Sequence, residues 1–267
     1  MITTIALDLD NTLLNYYKQI SKINENVLKS LHKSGKKIIL CSGRPIQAIS
    51  SMIKQLELTK PDDYVITFNG GVVQNNITKK VIAHNTFNKK DIIPIYQIAK
   101  KLNFTLDIVG LDKVYSLMEL GKSKYENYMD KAMKFKNVNF NQIPDNQKYG
   151  KVTAAFKYIY RDKILKNLPS YLKNKFHIFR TRRSIEFVPH HVDKANGLKY
   201  LLDYCNGSFK NVIAFGDESN DIGMIKAAKI GVAMGNATLE TKKAADAITE
   251  TNNNNGVAIF LKNYFQF

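Results

Sequence analysis

The stretch Ile5-Ala6-Leu7-Asp8-Leu9-Asp10-Asn11-Thr12 decides the fold. An apolar run leads into two carboxylates one residue apart, then a turn residue and a hydroxyl. Burying an unpaired carboxylate is costly, so such groups are paired, hydrogen-bonded or bound to metal. A strand of this composition is expected to deliver Asp8 and Asp10 to its C-terminal edge, where open α/β sheets hold their ligands. Asn11 tolerates a left-handed turn better than most residues. Taken alone, the same residues also read as a strand followed by an acidic, solvated turn. The rest of the chain decides between the two.

Working outward, Ser21 to Ser34 predicts a helix, with Ile20, Val27, Leu28 and Leu31 near one face and Gly35 past its end. A buried strand, Ile38-Ile39-Leu40-Cys41, runs into Ser42-Gly43-Arg44-Pro45. Pro45 opens a helix carrying Ile46, Ile49, Ile53 and Leu56. A third strand, Val65 to Phe68, ends at Asn69-Gly70-Gly71, and two short strands around Asn75-Asn76 end near Ala83. This alternation predicts a parallel, doubly wound, Rossmann-like α/β sheet.

From His84 the pattern changes. Helices are expected at Asp91–Leu102, Ser123–Lys134 and Asp162–Leu172. Strands are expected at 105–109, 114–117, Lys151–Tyr158, Phe176–Arg180 and Ile185–Val188. Several close strands among helices predict a separate α+β unit. After Pro189 the first pattern returns. Asp193-Lys194 opens a helix, and the strand Asn211 to Phe215 ends in Gly216-Asp217-Glu218-Ser219-Asn220-Asp221. A helix at 222–229, a strand at 231–234, a helix at 238–245, a strand at 247–249 and a helix after Gly256 follow. The expected domains are therefore residues 1–83 with 189–267 as one unit, and 84–188 as an insertion.

The composition bounds the function. At 267 residues and 44% hydrophobic content the chain is an ordinary globular protein of one large or two modest domains. Asp8 and Asp10 interrupt the one N-terminal apolar run, so no signal peptide is expected. No apolar stretch approaches the roughly 18 residues of a membrane span. Two cysteines, Cys41 and Cys205, form no disulfide framework, which points to a reducing cytoplasm. The net charge of +17 invites a nucleic-acid reading. The lysines are dispersed, however, and the cluster Arg180-Thr181-Arg182-Arg183 has no aromatic platform beside it, so a solvated basic surface and no specific nucleic acid are expected.

Four strand ends present similar cargo: Asp8 with Asp10, Ser42-Gly43-Arg44, Asn69-Gly70, and Asp217 with Asn220 and Asp221. Lys194 heads a helix between them. Three or four carboxylates at one sheet edge repel unless a cation sits there, and all-oxygen ligands suit Mg²⁺. Ser42, the amide of Gly43 and Lys194 supply hydroxyl, backbone and ammonium donors for a phosphate. Acids, metal and phosphate donors together predict phosphoryl transfer.

These motifs, in this order, resemble those of the haloacid dehalogenase superfamily: Asp8-x-Asp10-x-Thr12, Ser42-Gly43-Arg44, Lys194 and Gly216-Asp217-x-x-Asn220-Asp221. Asn69-Gly70, Ile185-Glu186-Phe187, Met234-Gly235-Asn236-Ala237 and Lys243-x-x-Asp246 resemble the Cof-type sugar-phosphate phosphatase branch, with its class IIB cap. The resemblance covers both ends of the chain by motif and the middle by size and pattern. Two positions depart from it: Asn11 and Ala195 stand where the family usually has glycine.

The resemblance implies a hydrolase core at 1–83 and 189–267, and a cap for substrate choice at 84–188. It implies that Asp8 is the nucleophile, forming an aspartyl-phosphate, and Asp10 the general acid and then base. It implies that Asp8, the carbonyl of Asp10, Asp217 and Asp221 bind Mg²⁺. Leu9, Ser42, Gly43, Lys194 and Asn220 are implied to hold phosphate or substrate. The expected substrate is a small phosphorylated metabolite, a sugar phosphate or phosphorylated cofactor, handled by a monomer or weak homo-oligomer.

Other readings stay open. A phosphosugar mutase of the same superfamily is the alternative activity. A receiver-like phospho-acceptor also places acids at strand ends, in about half this length. Cys41 beside Ser42-Gly43-Arg44 hints at a cysteine phosphatase loop, but the arginine sits too close and packing explains a strand-end Cys. His190-His191 fits a hinge better than a metal site. Tyr125, Tyr128, Met129 and Met133 read as a core stripe.

Overall fold

The computed structural model describes residues 1–128, 133–156, 158–181 and 184–266. They form two compact units, Met1–Ala83 with Asp193–Phe267, and His84–Val192. The chain begins with β1 (Thr4–Leu7), β2 (Lys37–Cys41), β3 (Tyr64–Thr67), β4 (Val72–Asn75) and β5 (Val81–His84). It continues with β6 (Asp107–Gly110), β7 (Lys113–Leu117), β8 (Lys134–Val138), β9 (Tyr149–Ala155), β10 (Phe176–Arg180) and β11 (Ser184–Pro189). It ends with β12 (Val212–Gly216), β13 (Ile230–Ala233) and β14 (Ala247–Ile248).

In the first unit the sheet order is β14-β13-β12-β1-β2-β3-β4-β5. Parallel pairing runs from β14 to β3, and β4 returns antiparallel to β3. β1 is therefore central, covered on both faces, and Ile5, Ala6 and Leu7 are fully buried. That is why it reads as an unbroken apolar run rather than an alternating one. The first helix, Lys22–Lys33, is capped by Ser21, whose hydroxyl accepts from the Asn24 amide at 3.2 Å. The helix expected after Pro45 is a 3₁₀ turn, Ile46–Ile49, joined to an α-helix, Ser50–Gln55. Ile49, Ile53 and Leu56 still face the core. Asn11 has φ 61°, the left-handed turn that its side chain tolerates.

The second unit carries a sheet of order β10-β11-β9-β6-β7-β8. Its pairing is antiparallel except for β7 with β8. The helices Lys89–Leu102, Tyr158–Asn167 and Ser170–Lys175 belong to this unit. Phe87, Ile92, Ile95, Ile108, Tyr149, Val152 and Phe187 lie in one core. Val152 and Ala154 take part in that core, so Lys151 and Thr153, one residue out of phase on β9, point to the other face.

The elements of the second unit differ from expectation in three places. The helix expected over 123–134 is a 3₁₀ turn, Tyr125–Tyr128, and Lys134 already begins β8. Ser123 turns its hydroxyl to the Asp107 carboxylate and accepts from the Tyr125 amide at 3.1 Å, which favours a local turn over a helix start. Met129, of the expected core stripe, lies outside the described residues; Tyr125 and Met133 are buried. The strand expected to reach Tyr158 stops at Ala155. The helix expected at 162–172 is two helices, separated ahead of Ser170 by Pro169, which lacks the amide a continuing helix needs. Of the basic cluster, Arg182 and Arg183 lie outside the described residues, and Arg180 pairs with Asp162 at 3.2 Å. Among the described residues no helix is long and apolar enough to cross a membrane.

Candidate active site

The site is built where three chain segments of the first unit meet. The amide of Asp8 extends the ladder past β1 by donating to the Phe215 carbonyl at 3.1 Å. β12 ends at Gly216, and the 3₁₀ turn Ser219–Asp221 folds Asp221 back. The Asp221 Oδ2 accepts from the amides of Asp217 and Glu218 at 2.9 and 3.0 Å. Lys194 is the first residue of the helix Lys194–Tyr204, which Asp193 caps by accepting from the Asn196 amide at 2.7 Å. That helix start is held close by Gly70, at φ +102°; a methyl there would lie 1.9 Å from the Asp193 carbonyl oxygen.

Lys194 Nζ donates to Asp8 Oδ1 at 2.5 Å and to Asp221 Oδ1 at 2.6 Å, with no solvent exposure of its side chain. Asp8, Asp217 and Asp221 each offer an oxygen within 4.8 Å of the others, and all three residues are buried. Thr12 Oγ1 donates to Asp217 Oδ1 at 3.1 Å. Burial, and then the Asp221 charge, push the Asp8 carboxyl up to about 7, against the pull of Lys194. Burial alone would lower the Lys194 ammonium, but Asp221 and Asp8 outweigh it and hold its pKa well above the usual range. Three buried carboxylates around one ammonium leave excess negative charge. Their hard oxygen donors are the set that Mg²⁺ takes, so the residues fit a divalent cation.

Asp10 faces a different set of partners. Arg44 grips it from Nε at 2.8 Å and from a terminal nitrogen at 2.7 Å, and Lys18 Nζ donates at 2.7 Å. Burial works to raise the Asp10 carboxyl, but these two cations hold it well below the usual carboxylate range. Ser42 is buried, and its hydroxyl accepts from the Arg44 amide at 3.1 Å. Leu9 keeps its side chain in the core, so its main chain alone can face a ligand. Asn220 Nδ2 donates to Asn69 Oδ1 at 3.1 Å.

The structure thus gathers Asp8, Asp217, Asp221 and Lys194 into one cluster and sets the Asp10 carboxylate apart with Arg44 and Lys18. Sequence reasoning quoted Thr12 and Arg44 within motifs without giving them partners. Lys18 carries no signal in the sequence; it reaches Asp10 through a loop in which its own φ is +60°. Cys41 is fully buried, and burial pushes its thiol up to about 12, which removes it as a nucleophile at neutral pH. Ala195, in the first helical turn, lies in ordinary contact range of Gly223, where a methyl would be 3.4 Å from its Cβ. A cavity of about 490 Å³ lies in the second unit, lined in part by Phe104, Phe156, Lys122, Lys124 and Lys163. No carboxylate is among its described lining residues.

Residues 5–261 match the family model for haloacid dehalogenase-like hydrolases. The chain is 30% identical to the 5-amino-6-(5-phospho-D-ribitylamino)uracil phosphatase YitU of Bacillus subtilis, over 98% of this chain and 97% of that protein. It is 25% identical to the phosphatase YwpJ of the same organism, over 97% of this chain and 98% of the relative. A crystal structure of a haloacid dehalogenase-like hydrolase from Bacteroides thetaiotaomicron superposes with a TM-score of 0.86 at 30% identity, over 99% of this chain and 100% of the other.

Proposed function

The chain belongs to the haloacid dehalogenase-like hydrolase family, as a phosphatase, and on that premise we propose that it hydrolyses small phosphate monoesters through an aspartyl-phosphate on Asp8. The observation that carries this reading is the buried Lys194, shared between Asp8 and Asp221. An ammonium held there offsets charge on a transferring phosphoryl group. In the first step a carboxylate oxygen of Asp8 attacks phosphorus and the bond to the leaving oxygen breaks. That oxygen takes a proton from Asp10. In the second step water attacks the acyl phosphate, Asp10 accepts the water's proton, and inorganic phosphate leaves with the Asp8 carboxylate restored.

The ion-paired Asp10 is the proton acceptor that the second step needs. Its two cations oppose the protonated form that the first step needs, so leaving groups that require little protonation should react fastest. Asp8, the main-chain carbonyl of Asp10, Asp217 and Asp221 would hold Mg²⁺, which when bound supplies further positive charge to the phosphoryl oxygens. Ser42, the amides of Leu9 and Gly43, Lys194 and Asn220 are assigned to the phosphate or the substrate. The His84–Val192 unit is assigned the choice of leaving group. Sugar phosphates and phosphorylated cofactors are the proposed class, and the ribitylaminouracil phosphate of YitU's name belongs in the first test panel.

The test is hydrolysis of p-nitrophenyl phosphate with Mg²⁺, then with a chelator, followed by a panel of phosphorylated metabolites. Turnover that depends on Mg²⁺ is expected. Turnover unchanged by thorough chelation would remove the metal from this account, and no turnover of any phosphate ester would remove the account itself.

A further inference from the structure

Asn69 sits at the end of β3 and is fully buried. It follows Phe68, and both residues are left-handed, with φ of 57° and 52°. That conformation is uncommon outside glycine, and for a residue as bulky as Phe68 it is an outlier. The surroundings hold it. The Asn69 amide donates to the Ser42 carbonyl at 3.0 Å, and the Phe68 amide to the Arg44 carbonyl at 3.4 Å. Asn tolerates this backbone, so the main chain alone could explain the residue. The side chain shows more. Its Oδ1 accepts from Asn220 Nδ2 at 3.1 Å. On the other side it lies against Gly43: a methyl on Gly43 would be 2.8 Å from Asn69 Oδ1, 3.2 Å from Nδ2 and 3.3 Å from Cγ.

We infer that Asn69 is a positioning residue, whose buried amide spans the Ser42-Gly43 loop and Asn220 and sets the spacing between two groups that hold phosphate. Ser42 and Gly43 leave β2, and Asn220 follows β12, with β1 between those strands in the sheet. A side chain from a third strand end ties the two loops together. Glycine at position 43 is required because the amide occupies the space of a Cβ. This inference rests on the phosphatase reading of the same site.

The experiment separates backbone from side chain. Asn69→Gly keeps the left-handed main chain and removes the amide. Gly43→Ala keeps Asn69 and displaces its amide. The two variants and their double are assayed for kcat and KM on p-nitrophenyl phosphate, for the inhibition constant of inorganic phosphate, and for melting temperature. Asn69→Gly should raise the inhibition constant and KM about 10-fold, the scale of one misplaced hydrogen bond to a charged group. Gly43→Ala should do the same. The double variant should be within about 2-fold of the worse single one, because both changes disable one bridge. A purely structural role would lower the melting temperature and leave both constants alone. Unchanged constants in folded Asn69→Gly, or losses that multiply in the double variant, overturn the inference. If Asn69→Gly does not fold, unchanged constants in Gly43→Ala overturn it. A wild-type protein that neither hydrolyses the ester nor binds phosphate sinks the phosphatase reading and this inference together, whereas an active wild type with indifferent variants sinks the inference alone.

Discussion

Each unit buries a lysine against carboxylate, Lys194 in the first and Lys151 in the second, and both ion pairs close to 2.5 Å. Their surroundings differ. Lys151 meets one carboxylate, Glu186 on β11, with the ring of Tyr125 centred 5.6 Å from Nζ. Lys194 meets two, Asp8 and Asp221, with Asp217 beside them. Among the described residues Lys151 faces one carboxylate, and that pairing joins β9 to β11. Lys194 lies among three carboxylates, the set proposed to hold a cation. What differs between the two ion pairs is the number of carboxylates gathered near the ammonium, since both are buried and both are short.

The largest effect is expected at Asp8. Asp8→Asn removes the carboxylate proposed to attack phosphorus, and turnover of p-nitrophenyl phosphate should fall by at least roughly 10⁴-fold. Retained turnover would make the cluster around Lys194 no more chemical than the one around Lys151. Asp10→Asn should cost less, roughly 10²–10⁴-fold, because it removes the proposed proton shuttle and leaves the proposed nucleophile. With a good leaving group this variant should accumulate phosphate on the peptide that contains Asp8, read by mass spectrometry. Phosphate on Ser42 or Cys41 instead would reassign the nucleophile.

The second unit gives the smaller effects, on stability. Lys151→Met takes the ammonium away from buried Glu186 and should lower unfolding free energy, by at most about 3–5 kcal/mol, in urea titrations. Lys151→Met with Glu186→Leu should regain most of that, because no carboxylate is left without its ammonium; a double variant as weak as the single one would mean that the other contacts of Glu186 matter more than the pair. Asp107 is smaller still. It is fully buried, and burial pushes its carboxyl from 3.8 up to about 6, against hydrogen bonds from Ser116 and Ser123. The charged form is therefore the costly one in the fold. The stability from its neutral form is complete below about pH 4 and is lost as pH rises to about 6, by at most about 3 kcal/mol. Asp107→Asn should flatten that part of the melting-temperature profile and match or exceed wild type at pH 7. An unchanged profile would place the titration elsewhere.

Much of the fold was legible from residues near one another in the chain. A parallel strand buried on both faces is a short apolar run, and its end is marked by the polar residues that follow. That is why Asp8, Ser42, Asn69 and Asp217 could be placed at strand ends, and why the alternating pattern that returns after Pro189 could be joined to the one before His84. β8 was not legible, because Lys134–Val138 is a mostly exposed strand at the end of its sheet, with no apolar run to mark it.

What the sequence by itself determined was which residues stand at the edges of the parallel sheet, since strand length and direction follow from local hydrophobic pattern and turn chemistry. Which of them touch was decided only by the tertiary structure. Arg44 takes Asp10, Lys194 takes Asp8 and Asp221, Asn69 reaches Asn220, and Lys151 finds Glu186 across β9 and β11. Such partners depend on strand order, register and the close approach of backbones, and no short window of sequence contains any of the three.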